Sequence, residues 1–253
     1  MTLRIERSGN GPDLALLHGW GMHSGVWDEV VPALASRFRV HAVDLPGHGH
    51  SGAVAAEGLD RAAAEVAAQL PAGAALCGWS LGALVALRIA HLAPGKARRM
   101  ALVSATPCFV ERPDWPHAMK AGTLEDFARG LRQDRDGTLE RFVRLNALNG
   151  ANGRAATRAF TDRLFARGAP PAAALEATLG WLRDTDVRDE MPNVSAPTLV
   201  MHGARDMIAP VAAGRWLAHA IPGARLVEIP DAGHLPFFTH RSDFLAALEE
   251  FVG

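Results

Sequence analysis

Six short apolar runs alternate with helical patterns along this chain, and the alternation restricts the fold class more than any other property of the sequence. The runs are LALL (14–17), FRVHAVD (38–44), AALCGW (74–79), RMALVS (99–104), PTLVMHG (197–203) and ARLVEIP (224–230). The helical patterns cover residues 60–70, 81–93, 210–220 and 240–252. Continuous apolar runs of this length are typical of parallel strands buried on both faces. We therefore expect an α/β fold with a doubly wound, mostly parallel sheet.

The alternation stops between residues 107 and 190. After a proline-rich entry, an amphipathic helical pattern covers 123–190, with interruptions at Asn149-Gly150, Asn152-Gly153 and Pro170-Pro171. This stretch is too long for one crossover helix, and ligands of open α/β sheets bind at the carboxyl ends of the strands. We therefore expect residues 1–106 and 191–253 to form the core, and residues 107–190 to form a helical lid inserted over those strand ends.

The composition indicates a globular protein with a large core. The chain has 253 residues, of which 49% are hydrophobic, and a formal net charge of −1, so neither nucleic acid nor membrane is an expected partner. No apolar run reaches the ~18 residues of a membrane span, and the first residues lack the apolar segment of a signal peptide. Cys77 and Cys108 lie in apolar contexts typical of free buried thiols. We expect a cytoplasmic monomer without metal or cofactor.

A candidate nucleophile lies in the segment Gly78-Trp79-Ser80-Leu81-Gly82. The motif G-x-S-x-G is short and weak by itself, but here an apolar run precedes it and a helical pattern follows it. A strand, a sharp turn and a helix form a nucleophile elbow, in which the serine adopts a strained conformation and glycines avoid collisions with nearby backbone. The alternative is an ordinary strand-to-helix turn in which Ser80 is the N-cap.

Two later segments supply a candidate acid and a candidate base. Asp206 follows the run PTLVM, and His234 follows the run LVEIP. The order Ser, Asp, His is that of the α/β-hydrolase triad. We expect Ser80 to attack, His234 to take its proton and Asp206 to orient the imidazole. Asp231 is the competing acid, but it lies only three residues before His234, whereas Asp206 can approach from an adjacent strand end.

Two backbone N–H groups are candidates for an oxyanion hole. One belongs to Leu81, directly after the nucleophile, and the other to Trp20 in the early loop HGWG. His18, which precedes this loop, is expected to be a structural histidine bonded to loop backbone. The His-Gly-His segment at 48–50 is expected to be a turn after a strand, because two histidines without carboxylate company are a weak metal signal.

Several segments together resemble a known family. HGWGMHSGVW, DLPGHGHSG, GWSLGALVA, GARDMIAP and DAGHLPF resemble the α/β-hydrolase superfamily. SATPCFVERPDWP, TLERFVRLNALNG and LRDTDVRDEMPNVSAPTLVMHG, with tryptophans at positions 20 and 79, resemble the bacterial pimeloyl-acyl-carrier-protein methyl ester esterases of biotin synthesis. This resemblance implies the α/β-hydrolase fold with an inserted helical lid.

The resemblance also implies roles for individual residues. The family's nucleophile, acid and base fall on Ser80, Asp206 and His234. Its substrate-binding positions fall on Trp20, Leu81, Phe142 and Asn146, the last of which replaces the family's usual glutamine. Trp79 is a further candidate for substrate binding. Its lid arginines, which meet an acidic acyl carrier protein, fall on Arg141, Arg154 and Arg158. A further family arginine would fall on Gly137, and Arg135 is a candidate replacement.

The charge distribution bears on the same partner. Residues 128–168 contain nine arginines and four acids, a local charge of +5 on a chain of net charge −1. Such asymmetry suggests an acidic partner, although arginine is also simply a good helix former on a solvated face.

We expect a serine carboxylesterase acting on a pimeloyl methyl ester carried by acyl carrier protein, with small esters as side substrates. The alternatives are a general short-chain carboxylesterase or enol-lactonase and, more remotely, a non-catalytic ligand-binding protein of this fold.

Overall fold

One seven-stranded sheet organises the chain in the computed structural model, which describes residues 2–147, 153–168 and 170–253. Of residues 146–147 and 153–156 it describes the backbone alone. The strands are β1 (Ile5–Ser8), β2 (Asp13–Leu17), β3 (Arg39–Val43), β4 (Ala74–Trp79), β5 (Ala97–Val103), β6 (Thr198–Gly203) and β7 (Arg225–Ile229). Their order in the sheet is β1-β3-β2-β4-β5-β6-β7, and every neighbouring pair is parallel except β1 with β3. The predicted α/β fold with a mostly parallel sheet is confirmed.

The helices lie between the strands and after them. They are α1 (Val31–Ala35), α2 (Leu59–Gln69), α3 (Leu81–Leu92), α4 (Ala121–Gln133), α5 (Arg135–Ala147), α6 (Gly153–Phe165), α7 (Ala172–Asp184), α8 (Val211–Ala220), α9 (Pro236–Thr239) and α10 (Arg241–Val252). Four of them, α4 to α7, follow one another between β5 and β6, and we call this set the helical insertion. None of the helices in the described part of the chain is long and apolar enough to span a membrane.

Burial explains why the central strands read as unbroken apolar runs. All six residues of β4 are buried, as are all six of β6 and the last four of β2. A parallel strand covered on both faces has no solvent side, so polar residues do not alternate with apolar ones. Because β4, β5 and β6 are parallel neighbours, their carboxyl ends lie together at one edge of the sheet. This edge positions the candidate site.

The sequence prediction omitted β1. Its four residues, IERS, pair antiparallel with β3, with Ile5 opposite Val43. Of the four, only Ile5 is buried, because β1 is the edge strand of the sheet. A short edge strand with one buried side chain lacks the apolar run on which the prediction of the other strands rested.

Candidate active site

The backbone at Ser80 is a strained turn between β4 and α3. Ser80 has φ 54° and ψ −114°, a conformation that L-residues adopt rarely. A Cβ atom at Gly78 would lie 2.3 Å from the carbonyl oxygen of Gly82, and one at Gly82 would lie 2.2 Å from that of Leu17. Both glycines are therefore required by close backbone approach. This is the geometry expected of a nucleophile elbow.

Asp206 and His234, 28 positions apart in the chain, meet at the carboxyl edge of the sheet. The Nδ1 atom of His234 lies 2.7 Å from Oδ2 of Asp206, and both side chains are fully buried. The other carboxylate oxygen, Oδ1, accepts hydrogen bonds from the N–H groups of Ile208 and Ala209, each at 2.9 Å. The two backbone donors fix the carboxylate, so Oδ2 is the oxygen that faces the imidazole.

The charge state of this pair follows from its contacts. Burial alone would raise the pKa of the Asp206 carboxyl, but the charge of His234 and the hydrogen bonds from His202 and His234 outweigh burial and hold that pKa below its usual range. Asp206 is therefore ionised at neutral pH and accepts only, so the Nδ1 atom of His234 carries the proton.

The Nε2 atom of His234 is left for another partner. It is buried, and no group in the described ranges hydrogen-bonds to it. The ring is held in place by its contact with the Trp79 ring, at 5.6 Å between centroids, and the Trp79 indole donates to the carbonyl oxygen of His234 at 2.8 Å. With Nδ1 protonated, Nε2 carries the lone pair that a general base needs.

Asp231 does not join this arrangement. Its side chain is 64% exposed and pairs with the guanidinium of Arg205 at 2.6 Å. The structure thus brings Asp206 to the histidine and leaves Asp231 at the surface.

Two backbone N–H groups are candidate donors near Ser80: Leu81 follows it in the chain, and Trp20 lines the same cavity. Leu81 is the first residue of α3, where backbone N–H groups have no partner within the helix. No described residue accepts a hydrogen bond from the N–H of Leu81 or from that of Trp20. These are the two donors expected for an oxyanion hole.

An apolar cavity of about 50 Å³ opens beside Ser80. Trp20 and Phe142 line it, as expected, and their rings meet edge to face with centroids 5.2 Å apart. The Trp20 indole also donates to the carbonyl oxygen of Leu175 in α7 at 3.1 Å. The side chain of Asn146 lies outside the described residues. The cavity has further lining residues that no sequence motif indicated, namely Phe109, Met119, Thr123, Leu124, Phe127, Leu145, Leu179, Leu182 and Ile208.

Trp79 and Leu81, which were also expected to bind substrate, lie away from the cavity wall. Neither is among the residues that line the cavity in the described part of the chain. Trp79 is fully buried against His234, Phe160 and Phe237, so it packs against the candidate base. The apolar positions Leu124, Phe127 and Leu131 of α4, of which the first and last are buried, show a helical spacing that could have indicated a cavity-facing or core-facing stripe, although not which of the two.

Comparison with known proteins gives the family. A profile of the α/β hydrolase fold matches residues 14–241. The pimeloyl-acyl-carrier-protein methyl ester esterase of Nitrosomonas europaea is 45% identical over 249 residues, 98% of this chain and 98% of that protein. The protein of the same name from Aeromonas hydrophila subsp. hydrophila is 43% identical over 256 residues, which cover both chains completely.

The chain belongs to the pimeloyl-acyl-carrier-protein methyl ester esterase family of α/β hydrolases. The resemblance inferred from the motifs is thereby confirmed, and the protein is a carboxylic ester hydrolase. An esterase from Exiguobacterium antarcticum superposes with a TM-score of 0.89 at 25% identity, over 99% of this chain and 95% of that one. The enol-lactonase from Burkholderia xenovorans LB400 superposes with a TM-score of 0.85 at 24% identity, over 99% of this chain and 96% of that one, and this second likeness shows the fold alone.

The arginines of this esterase's helical insertion fall into two groups. Arg141 on α5 and Arg158 on α6 are exposed, and these two helices pack against each other. Arg141 donates to the hydroxyl of Thr138 at 2.6 Å. Arg154 lies on α6 as well, but its side chain is outside the described residues. Gly137 donates its N–H to Asp134, and Arg135 pairs with Asp136 at 2.8 Å.

Arg163 and Arg167 point toward the core, so the local charge of +5 overstates the basic surface. Arg163 pairs with Glu29 at 2.6 Å. Arg167 pairs with Glu6 at 3.0 Å and lies 3.4 Å from the buried carboxylate of Asp44. Sequence counting included both because it cannot tell which face of a helix meets the core.

The histidines of the early loops of the esterase are bonded to backbone. His18 and His48 are both fully buried, and each ring nitrogen has a backbone partner. Within residues 2–147, 153–168 and 170–253, no group of three or more His, Cys, Asp or Glu side chains could hold a metal ion.

Proposed function

We propose that this esterase hydrolyses the methyl ester of a pimeloyl chain carried on acyl carrier protein, a step in biotin synthesis, and that it turns over small esters as side reactions. The observation that carries the chemistry is the hydrogen bond of 2.7 Å between Asp206 and His234 at the strand edge where Ser80 is strained. The names of the full-length relatives support the substrate.

The proposed reaction uses the described groups in two steps. The Nε2 atom of His234 takes the proton of the Ser80 hydroxyl while Oγ attacks the ester carbonyl. The N–H groups of Trp20 and Leu81 stabilise the oxyanion of the tetrahedral intermediate. His234 then gives its proton to the departing methoxide, which leaves as methanol. Water attacks the acyl-enzyme by the same base and releases the free carboxylate.

The proposed substrate fits the walls of the cavity. A chain of methylene groups suits a space lined almost wholly by aliphatic and aromatic side chains. The exposed Leu145 lies on the same helix as Arg141, four residues on, so apolar lining and positive charge share one side of α5. We propose that the acidic carrier protein docks on Arg141, Arg154 and Arg158 while its acyl chain enters the cavity.

A comparison of two substrates tests this proposal. Reversing Arg141, Arg154 and Arg158 to Glu is expected to lower kcat/KM for the carrier-linked ester and to weaken its salt dependence, because opposite charges at a surface act on association and are screened by salt. A small free ester is expected to react at the wild-type rate.

The charge-matched control reverses three exposed arginines of the core, Arg7, Arg61 and Arg225. It is expected to leave both substrates unaffected. Equal losses on the two substrates in the insertion variant would mean that its arginines only hold the insertion together. No loss on either would favour a general short-chain carboxylesterase or an enol-lactonase. A wild-type protein that hydrolyses no ester would favour the non-catalytic alternative. The proposed cytoplasmic location and monomeric state stay predictions.

A further inference from the structure

Two buried histidines hold the loop that carries the Trp20 N–H. The side chains of His18 and His48 are fully buried, and their ring centroids lie 5.2 Å apart. Neither histidine takes part in the proton transfer that we propose for His234. Both nonetheless contact the backbone directly before and after Trp20, which is the residue expected to donate to the oxyanion.

The bonding partners determine the tautomer of each ring. Nδ1 of His18 lies 2.8 Å from the carbonyl oxygen of Gly19, and Nε2 accepts from the N–H of Leu45 at 3.0 Å. Nδ1 of His48 lies 3.0 Å from the carbonyl oxygen of Pro46, and Nε2 accepts from the N–H of Gly21 at 3.3 Å. Carbonyl oxygens only accept and N–H groups only donate, so each ring is neutral with its proton on Nδ1. Burial lowers the pKa of His18 to about 3 and that of His48 to about 4, which agrees with neutral rings.

These contacts orient the two peptide planes on either side of the Trp20 Cα. The carbonyl of Gly19 and the N–H of Trp20 belong to one planar peptide unit, so a bond that holds the first also aims the second. The N–H of Gly21 belongs to the next peptide unit. His18 therefore fixes the plane that bears the donor, and His48 fixes the plane that follows it. Gly21 has φ +72°, so the chain turns sharply at this point.

We propose that His18 and His48 are positioning residues that hold the Trp20 N–H in line with the oxyanion of the tetrahedral intermediate. The proposal rests on the proposed function in taking Ser80 as the nucleophile and the Trp20 N–H as an oxyanion donor, and it applies to every ester the enzyme hydrolyses. It differs from a merely structural role because it predicts loss of transition-state stabilisation beyond any loss of folding stability.

The test measures kcat, KM and the affinity for a boronic acid that forms a tetrahedral adduct with Ser80, using a small chromogenic ester. His18→Leu and His48→Leu are expected to lower kcat by up to about 10²–10³, the range for loss of one oxyanion donor, with little change in KM. The affinity for the boronic acid is expected to fall by the same factor, since both report the tetrahedral state.

Conservative variants and a control keep the test decisive if a leucine variant does not fold. His18→Asn places an N–H near the position of Nδ1, and His48→Gln places an acceptor near the position of Nε2, so each is expected to recover part of the lost kcat. The matched control is His41→Leu, a buried histidine that bonds to Asp13 at the opposite end of β2 and β3. It is expected to lower the melting temperature and to leave kcat intact.

Three outcomes would overturn the proposal. In the first, the His18 and His48 variants lower the melting temperature like His41→Leu but keep wild-type kcat. In the second, kcat falls while the affinity for the boronic acid is unchanged. In the third, the conservative variants are as impaired as the leucine variants. Failure of the wild type on the carrier-linked ester, with normal turnover of the small ester, would refute the proposed substrate and leave this inference standing.

Discussion

Replacing Asp206 by Asn tests the orientation of His234, the proposed general base, because the surrounding contacts dictate how the new side chain lies. The N–H groups of Ile208 and Ala209 both donate to Oδ1 of Asp206 at 2.9 Å. They need an acceptor, so the amide oxygen of Asn takes that position and the amide NH₂ faces His234. A donor opposite Nδ1 forces the imidazole proton onto Nε2. That nitrogen then cannot accept the proton of Ser80.

The expected magnitude follows from this change of tautomer. A wrong tautomer in otherwise intact geometry lowers kcat by up to about 10⁴, which corresponds to about 5.4 kcal/mol of transition-state free energy at 1.36 kcal/mol per factor of ten. Asp231→Asn is the matched control, since it removes the same charge from an exposed carboxylate in the same region. Because the Asp231 side chain pairs with Arg205 at the surface and not with His234, we expect its kcat to stay close to that of the wild type.

The assay is hydrolysis of a small chromogenic ester under kcat conditions, with circular dichroism and the melting temperature as checks that both variants fold. If Asp231→Asn is the more damaging change, the acid is Asp231 and the assignment is wrong. If Asp206→Asn keeps more than a tenth of the wild-type kcat, the reasoning from backbone donors to tautomer is refuted.

Three further predictions concern the nucleophile, the elbow and pH. Ser80→Ala is expected to lower ester turnover by orders of magnitude with an unchanged melting temperature, and wild-type turnover in a pure preparation would exclude Ser80 as the nucleophile. Gly82→Ala is expected to lower the free energy of unfolding by about 1–3 kcal/mol because its Cβ would lie 2.2 Å from the Leu17 carbonyl oxygen. Gly95→Ala, which meets nothing within 4 Å, should lower it far less in the same urea titration. Burial lowers the pKa of His48 to about 4, so the unfolded state binds more protons below about pH 6.5 and stability falls as the pH is lowered, by about 3 kcal/mol from this residue by pH 4. Urea denaturation across that range should show a weaker pH dependence in His48→Gln, and an equal dependence would mean that other groups cause it.

Local patterns were sufficient for most of the fold. The run 74–79 matches β4, and the helical pattern 81–93 ends one residue beyond α3. These elements have unambiguous sequence signals because a strand buried on both faces is apolar at every position and a buried helix is apolar at nearly every one. The strand, turn and helix around Ser80 form one short segment, so the elbow could also be predicted.

The prediction was less complete where a capping side chain, and not a change in burial, sets the boundary between two helices. The helical pattern that begins at 123 reads as continuous through Asp134, yet the structure ends α4 at Gln133 and begins α5 at Arg135. The carboxylate of Asp134 accepts from the N–H of Gly137 at 3.0 Å, the bond of a helix N-cap. An amphipathic pattern that continues in phase across Asp134 does not reveal such a break.

By itself, the sequence determined six of the seven strands, the helical stretch between β5 and β6 and the candidate triad, because burial periodicity and strand-end motifs are properties of consecutive residues. Only the tertiary structure decided which groups meet. It brought Asp206 to His234 and left Asp231 at the surface, and it turned Arg163 and Arg167 toward the core. It also placed His18 and His48 on either side of Trp20. These contacts join residues far apart in the chain, and their distances depend on how elements pack, which no short window of sequence contains.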